Sequence, residues 1–146
     1  MHYVMIGGTV MGFLAVLHFW YPKMCGKMFN EKIAKIAWAL IFIGFNLMFF
    51  PMFILGTQGM PRRYADYPPK FQPLHALSTI GSWILGIGMF LMATNLISGL
   101  LNGEKAPENP YNSLSLEWQV PSPPPHGNFQ EIPHVNEWTY EYGKKC

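Results

Sequence analysis

Gly59-Met60-Pro61-Arg62-Arg63-Tyr64-Ala65-Asp66-Tyr67-Pro68 is a polar stretch that holds both arginines of the chain and lies between two long apolar runs. A charged turn between two runs that each suffice to cross a bilayer predicts a membrane hairpin rather than two buried helices of a soluble domain. Two adjacent guanidiniums, hemmed by Pro61, Pro68 and two tyrosines, make a stiff cationic fork suited to carboxylates or phosphates. They equally suit a plain positive flank that anchors a helix end among lipid headgroups.

Composition supports the membrane reading. The 146 residues are 50% hydrophobic, 16% aromatic and only 12% charged, about half the charge of a soluble domain. Net charge is +2 and the lysines are dispersed, which excludes a nucleic-acid interface. Cys25 and Cys146 have no ligand-type spacing, so neither a disulfide framework nor a zinc site is indicated. Met1-His2-Tyr3 runs directly into apolar residues without a basic n-region, so the start reads as lying inside a helix rather than at a signal peptide.

Working outward, the first span is predicted over about 2–21, closed by Trp20, Tyr21 and Pro22. A second is predicted over about 35–56, with a kink at Pro51. A third follows over 74–101, longer than a bilayer needs. Gly8/Gly12 and Ser82/Gly86, with Gly81 and Gly88 beside the latter, have the small-residue spacing of close helix approach, and Asn46 needs an interhelical partner. The fold class is therefore an all-α membrane protein of three transmembrane helices, residues 1–101, followed by an extended Pro-rich tail over 102–146. The tail carries Pro121-Ser122-Pro123-Pro124-Pro125 and the aromatics Tyr111, Trp118, Phe129, Trp138 and Tyr140. It is expected to lie against partner protein.

Short connections make the spans alternate in direction. Lys23, Lys27, Lys32 and Lys35 with Lys105, Lys144 and Lys145 outweigh Arg62, Arg63 and Lys70, which puts the first connector and the tail inside. His2 then falls on the outer side with the two arginines.

No Ser/His/Asp order, carboxylate pair or glycine-rich phosphate loop is present, and the spans so drawn contain no acid for a proton relay. His2 is the candidate that stands out. An imidazole in an apolar span is costly unless it binds metal, ligates heme or pairs with a polar neighbour. Heme fits the company it keeps: imidazole for iron, Phe49 and Phe50 for the macrocycle, Arg62 and Arg63 for propionates. His18 and His75 read as interfacial hydrogen-bonding residues and His126 and His134 as solvent-side, while the methionines show no copper-binding spacing.

His2-Tyr3-Val4, Phe49-Phe50-Pro51, the decapeptide above, Leu116-Glu117-Trp118 and Pro123-Pro124-Pro125-His126-Gly127-Asn128-Phe129 together resemble subunit I of the heme-copper respiratory oxidases of the cytochrome c oxidase type. The resemblance covers nearly the whole chain and corresponds to that subunit's tenth, eleventh and twelfth helices. It implies that His2 is the second histidine of a His-x-His pair and ligates iron of a low-spin heme, of heme a type. It implies also that Phe49 lies beside that heme and that Arg62 and Arg63 hold its propionates near a proton exit route.

The high-spin heme, the copper centre, their ligands and the proton-channel carboxylates belong to earlier helices of the complete enzyme. No catalytic residue is then expected in this chain, which would be a piece of the subunit or one half of a split one, inactive alone. Implied partners are the remaining subunit I helices, subunits II and III, membrane lipids and cytochrome c, with quinol as a variant donor. The implied location is a bacterial or mitochondrial inner membrane, with the first connector and tail on the cytoplasmic or matrix side. The competing reading is a non-catalytic three-span scaffold subunit without its own heme ligand. Either way, no well-ordered monomer is expected in detergent.

Overall fold

The computed structural model describes residues 2–61 and 63–129. Three helices in it are long and apolar enough to cross a membrane: His2–Cys25, Glu31–Thr57 and Pro69–Asn102. The first span is built of α1 (His2–Met5), a π turn (Ile6–Val10) and α2 (Met11–Cys25). The second is α3 (Glu31–Thr57), and the third is a 3₁₀ turn (Pro69–Phe71) running into α4 (Gln72–Asn102). No strand forms among the described residues.

Two helix ends differ from the sequence expectation, each for a local reason. Pro22 does not close the first span; α2 continues to Cys25 and stops where Gly26 turns left-handed (φ 67°) and donates its N–H to the Pro22 carbonyl at 2.9 Å. Glycine adopts that conformation without the clash a Cβ would bring. The second span begins at Glu31 rather than Lys35, because the Asn30 side chain accepts from the N–H groups of Lys32 (3.0 Å) and Ile33 (3.3 Å). That is an N-cap, with Glu31 favourably placed in the first turn. Helix α3 continues through Pro51 to Thr57.

The tight seam of the molecule is between α3 and α4. A Cβ on Gly44 would strike the backbone of Leu85, and one on Gly81 the backbone of Met48; Gly88 faces the backbone of Ile41 in the same way. Ser78 donates from its hydroxyl to the Met48 carbonyl at 2.8 Å, next to the Leu47 carbonyl that Pro51 leaves without a helical donor. Gly8, Gly12 and Gly86, in contrast, have nothing within 4 Å of a built Cβ. Among the described residues no close approach falls at Gly8/Gly12, and on α4 it falls on Gly81 and Gly88. Leu14 of α2 reaches a small core with Ala37, Ile41 and Met92.

The connector and the tail close one end together. Asn95 of α4, 4% exposed, donates from its amide to the Asn30 carbonyl (3.0 Å) and accepts from the Asn30 N–H (3.2 Å). Met28 N–H donates to Glu104 O and Ala106 N–H to Gly26 O, both at 2.9 Å. Lys27 Nζ donates to the last α4 carbonyls, Leu100 (2.8 Å) and Leu101 (3.1 Å), which have no intrahelical partner. The tail as far as Pro123 therefore packs on the connector and the foot of α2, while residues 123–129 are exposed.

Candidate functional site

Of the residues singled out for heme, Phe49 and Phe50 lie in the loop half of α3 and Arg63 in the loop beyond it. His2 is exposed at the start of α1. Its neighbour Tyr3 donates from its hydroxyl to Asn46 Oδ1 at 2.8 Å, and Asn46 Nδ2 donates to the Phe42 carbonyl. Asn46, half-buried, thereby has the interhelical partner that an amide in an apolar span calls for. The Tyr3 ring lies 4.8 Å from Phe45, whose ring in turn lies 5.5 Å from Phe49. Gly7 gives Phe45 its space, since a Cβ there would come within 3.0 Å of the ring.

Asn46 sits just beyond the midpoint of α3, and the eleven residues from it to Thr57 rise about 16 Å. Tyr3, next to His2, is accordingly level with the middle of α3, well below the arginine loop rather than beside it. Phe49 is buried in this cluster and Phe50 is exposed. Arg63 is exposed and takes a left-handed backbone (φ 54°). For a residue with a Cβ that conformation costs roughly 1 to 2 kcal/mol, and strain of this kind gathers at ligand clamps. Arg62 lies outside the described residues, as do His134, Trp138, Tyr140, Lys144, Lys145 and Cys146.

The other described histidines have local partners. His18 Nδ1 meets the Leu14 carbonyl at 2.8 Å and its ring stands edge-on to Phe29. His75 packs on Tyr67 at 4.2 Å and its Nε2 contacts Met60 Sδ at 3.2 Å. His126 is exposed. Among the described residues no three of His, Cys, Asp and Glu converge as a metal site. An apolar cleft of about 340 Å³ opens at the connector end, lined by Leu14, His18, Phe29, Lys35 and Trp38 among others. It is remote from His2 and carries none of the predicted site residues.

Sequence reasoning passed over Asn95, which pins the connector to α4. An amide inside an otherwise apolar run is itself the available sign, as it was for Asn46. It also missed the clasp at the foot of α2: Trp118, 1% exposed, packs edge-on to Phe19 (5.3 Å) and Tyr111 (5.0 Å). Trp118 Nε1 and Ser122 Oγ are buried without a partner among the described residues.

This geometry defines an all-helical membrane protein with an exposed imidazole at the start of its first span and a strained cationic loop beyond its second. Comparison with known proteins makes the class specific. Residues 1–84 match the family described as cytochrome c and quinol oxidase polypeptide I, and the chain belongs to that family. It is similar to cytochrome c oxidase subunit 1 of Synechocystis sp., with 44% identity over 142 residues, 97% of this chain and 26% of that protein. The corresponding protein of Bacillus subtilis is 42% identical over 137 residues, 92% of this chain and 22% of its own length. A heme-copper oxidase subunit I+III of Aeropyrum pernix is 41% identical over 93% of this chain and 17% of its length. The chain thus spans about a quarter or less of the curated relatives it matches.

Proposed function

We propose that this chain contributes one face of the low-spin heme site in a cytochrome c oxidase, with His2 as an axial ligand and Arg62 and Arg63 as propionate clamps. The observation that carries the reading is the Tyr3–Asn46 bond, which ties the turn bearing His2 to the middle of α3. His2 would hold the iron and the arginines the propionates of the heme. The residues present fit the group: an exposed imidazole for iron, an exposed aromatic ring at Phe50 for the macrocycle, and a guanidinium on a loop strained in the manner of a ligand clamp.

When bound, the heme supplies a one-electron centre, of heme a type, between the donor and the oxygen-reducing site. The chain's own residues do the holding. Asn46 orients Tyr3 and with it the first turn that bears His2, and the arginines offset propionate charge at the membrane boundary. On this reading residues 1–101 are the membrane part and the tail from 102 lies on the cytoplasmic or matrix side. The remaining subunit I helices, subunits II and III and cytochrome c complete the complex, which couples electron transfer to proton pumping.

His2→Ala in the assembled oxidase is expected to abolish the low-spin heme band in the reduced-minus-oxidised spectrum while the complex still assembles. A retained band would favour the scaffold reading. Replacing Arg62 and Arg63 with glutamine is expected to shift the low-spin midpoint potential, and an unmoved potential would count against the clamps.

A further inference from the structure

The first span is the least enclosed of the three: 6% of its most apolar window is buried, against 33% for the second and 22% for the third. Two hydrogen bonds tie it to the other spans, Tyr3 to Asn46 at its start (2.8 Å) and the Tyr21 hydroxyl to the Leu96 carbonyl (2.6 Å); its other directional contacts come from the tail. Pro22 lies inside α2 and deprives the His18 carbonyl of its helical donor. Tyr111, ninety-three residues further along, points its hydroxyl at that carbonyl at 3.4 Å. Burial, with Glu31 nearby as the lesser cause, pushes the Tyr111 phenol above its ordinary value, so it remains a donor.

One turn further down the helix, Lys23 Nζ donates to the Val120 carbonyl at 2.6 Å and lies 4.9 Å over the Trp118 ring. Phe19 stacks on Tyr111 at 5.0 Å and stands edge-on to Trp118. Below these, Pro123 abuts Gly26, where an added Cβ would come within 2.7 Å of its Cδ. These contacts all grip one end of the helix. Its apolar contacts with Ala37, Ile41 and Met92 are non-directional and resist sliding weakly. The rod runs without a break in helical structure from this grip to His2.

We infer that residues 111–120 are an axial clamp on the first span and that Tyr111 and Trp118 are positioning residues, acting through that span on the depth of His2. The effect on heme rests on the proposed reading of His2; the clamp itself does not.

The test uses the assembled oxidase with Trp118→Ala, Trp118→Phe and Tyr111→Phe, read by amide hydrogen exchange over 11–25 and by the low-spin heme α-band and midpoint potential. Trp118→Ala is expected to raise exchange over 18–25 at least tenfold and to move both heme signals. Trp118→Phe should restore most of each. Tyr111→Phe removes a single hydroxyl and should raise exchange by a smaller factor, and it carries the test if Trp118→Ala fails to assemble. Unchanged exchange would overturn the clamp. Raised exchange with an unmoved heme would overturn the positioning role. A low-spin band that survives His2→Ala would remove the heme reading and leave the exchange result standing.

Discussion

The first span and the α3–α4 pair have similar length and similar freedom from charge, yet they are finished to different degrees. Behind the first span, α3 and α4 approach until the Gly44 and Gly81 backbones lie against the opposite helix, and Ser78 and Asn95 spend their polar groups on α3 and on the connector. The first span meets them through Leu14, Tyr3 and Tyr21 and leaves Val4, Phe13, Val16 and its glycines Gly8 and Gly12 facing outward. In lipid there is no hydrophobic drive between helices, so packing and hydrogen bonds decide which faces associate. A seam closed by glycines is complete within the chain, and an apolar face with uncovered glycines is one to which other helices fit.

The sharpest way to break this contrast is to fill the finished seam. Gly81→Val puts a branched side chain where a single Cβ already meets the Met48 backbone, and backbone cannot swing aside as a flexible side chain does. The expected cost is about 3 kcal/mol, at the upper end of ordinary overpacking. It should appear as a lowered thermal transition of the assembled oxidase. A variant as stable as the parent would show that α3 and α4 are not in backbone contact.

A smaller effect is expected at the connector. Asn95→Leu removes the acceptor of the Asn30 N–H and one of two donors to the Asn30 carbonyl, which keeps the Ala34 N–H, at the point where the first two spans are tied to α4. An orphaned backbone group costs about 1 to 3 kcal/mol when dry, and amide bonds in membrane proteins fall nearer 0.6 kcal/mol. We expect about 1 kcal/mol, with faster amide exchange confined to 28–33. Exchange that rises uniformly along all three spans would contradict a local tie.

How far the sequence spoke can be argued from the same residues. The three spans were legible because each is a long run free of charge, and the resemblance rested on the arginine loop and its flanks. The start of α3 was legible as well, in Asn30 followed by Glu31, although the charged connector drew the boundary later. Pro22 misled because its missing donor is made good by Tyr111, a partner no local rule supplies. The depth of His2 was not legible either: counting spans gives a side of the membrane, whereas the Tyr3–Asn46 bond gives a level. Glycine spacing alone could not tell a closed seam from an open one, since Gly8/Gly12 and Ser82/Gly86 share the spacing of a contact face and neither Gly8, Gly12 nor Gly86 meets a neighbour here.

That last ambiguity gives the smallest and most discriminating prediction. Gly12→Ala adds one methyl at a helical position with nothing within 4 Å. Within this chain the change should be neutral or stabilising by up to about 1 kcal/mol, from helix propensity alone. In the assembled oxidase the outcome turns on what covers the face. A helix packed there at glycine distance would meet the new methyl as Leu85 would meet a Cβ on Gly44, and the thermal transition should fall. Lipid would yield to it, and the transition should hold or rise. The same substitution at Gly86, open on α4, is the control for a face of the finished pair. If Gly12→Ala lowers the transition and Gly86→Ala does not, the first span is the side on which the rest of the subunit closes; equal responses would erase the contrast between the two regions.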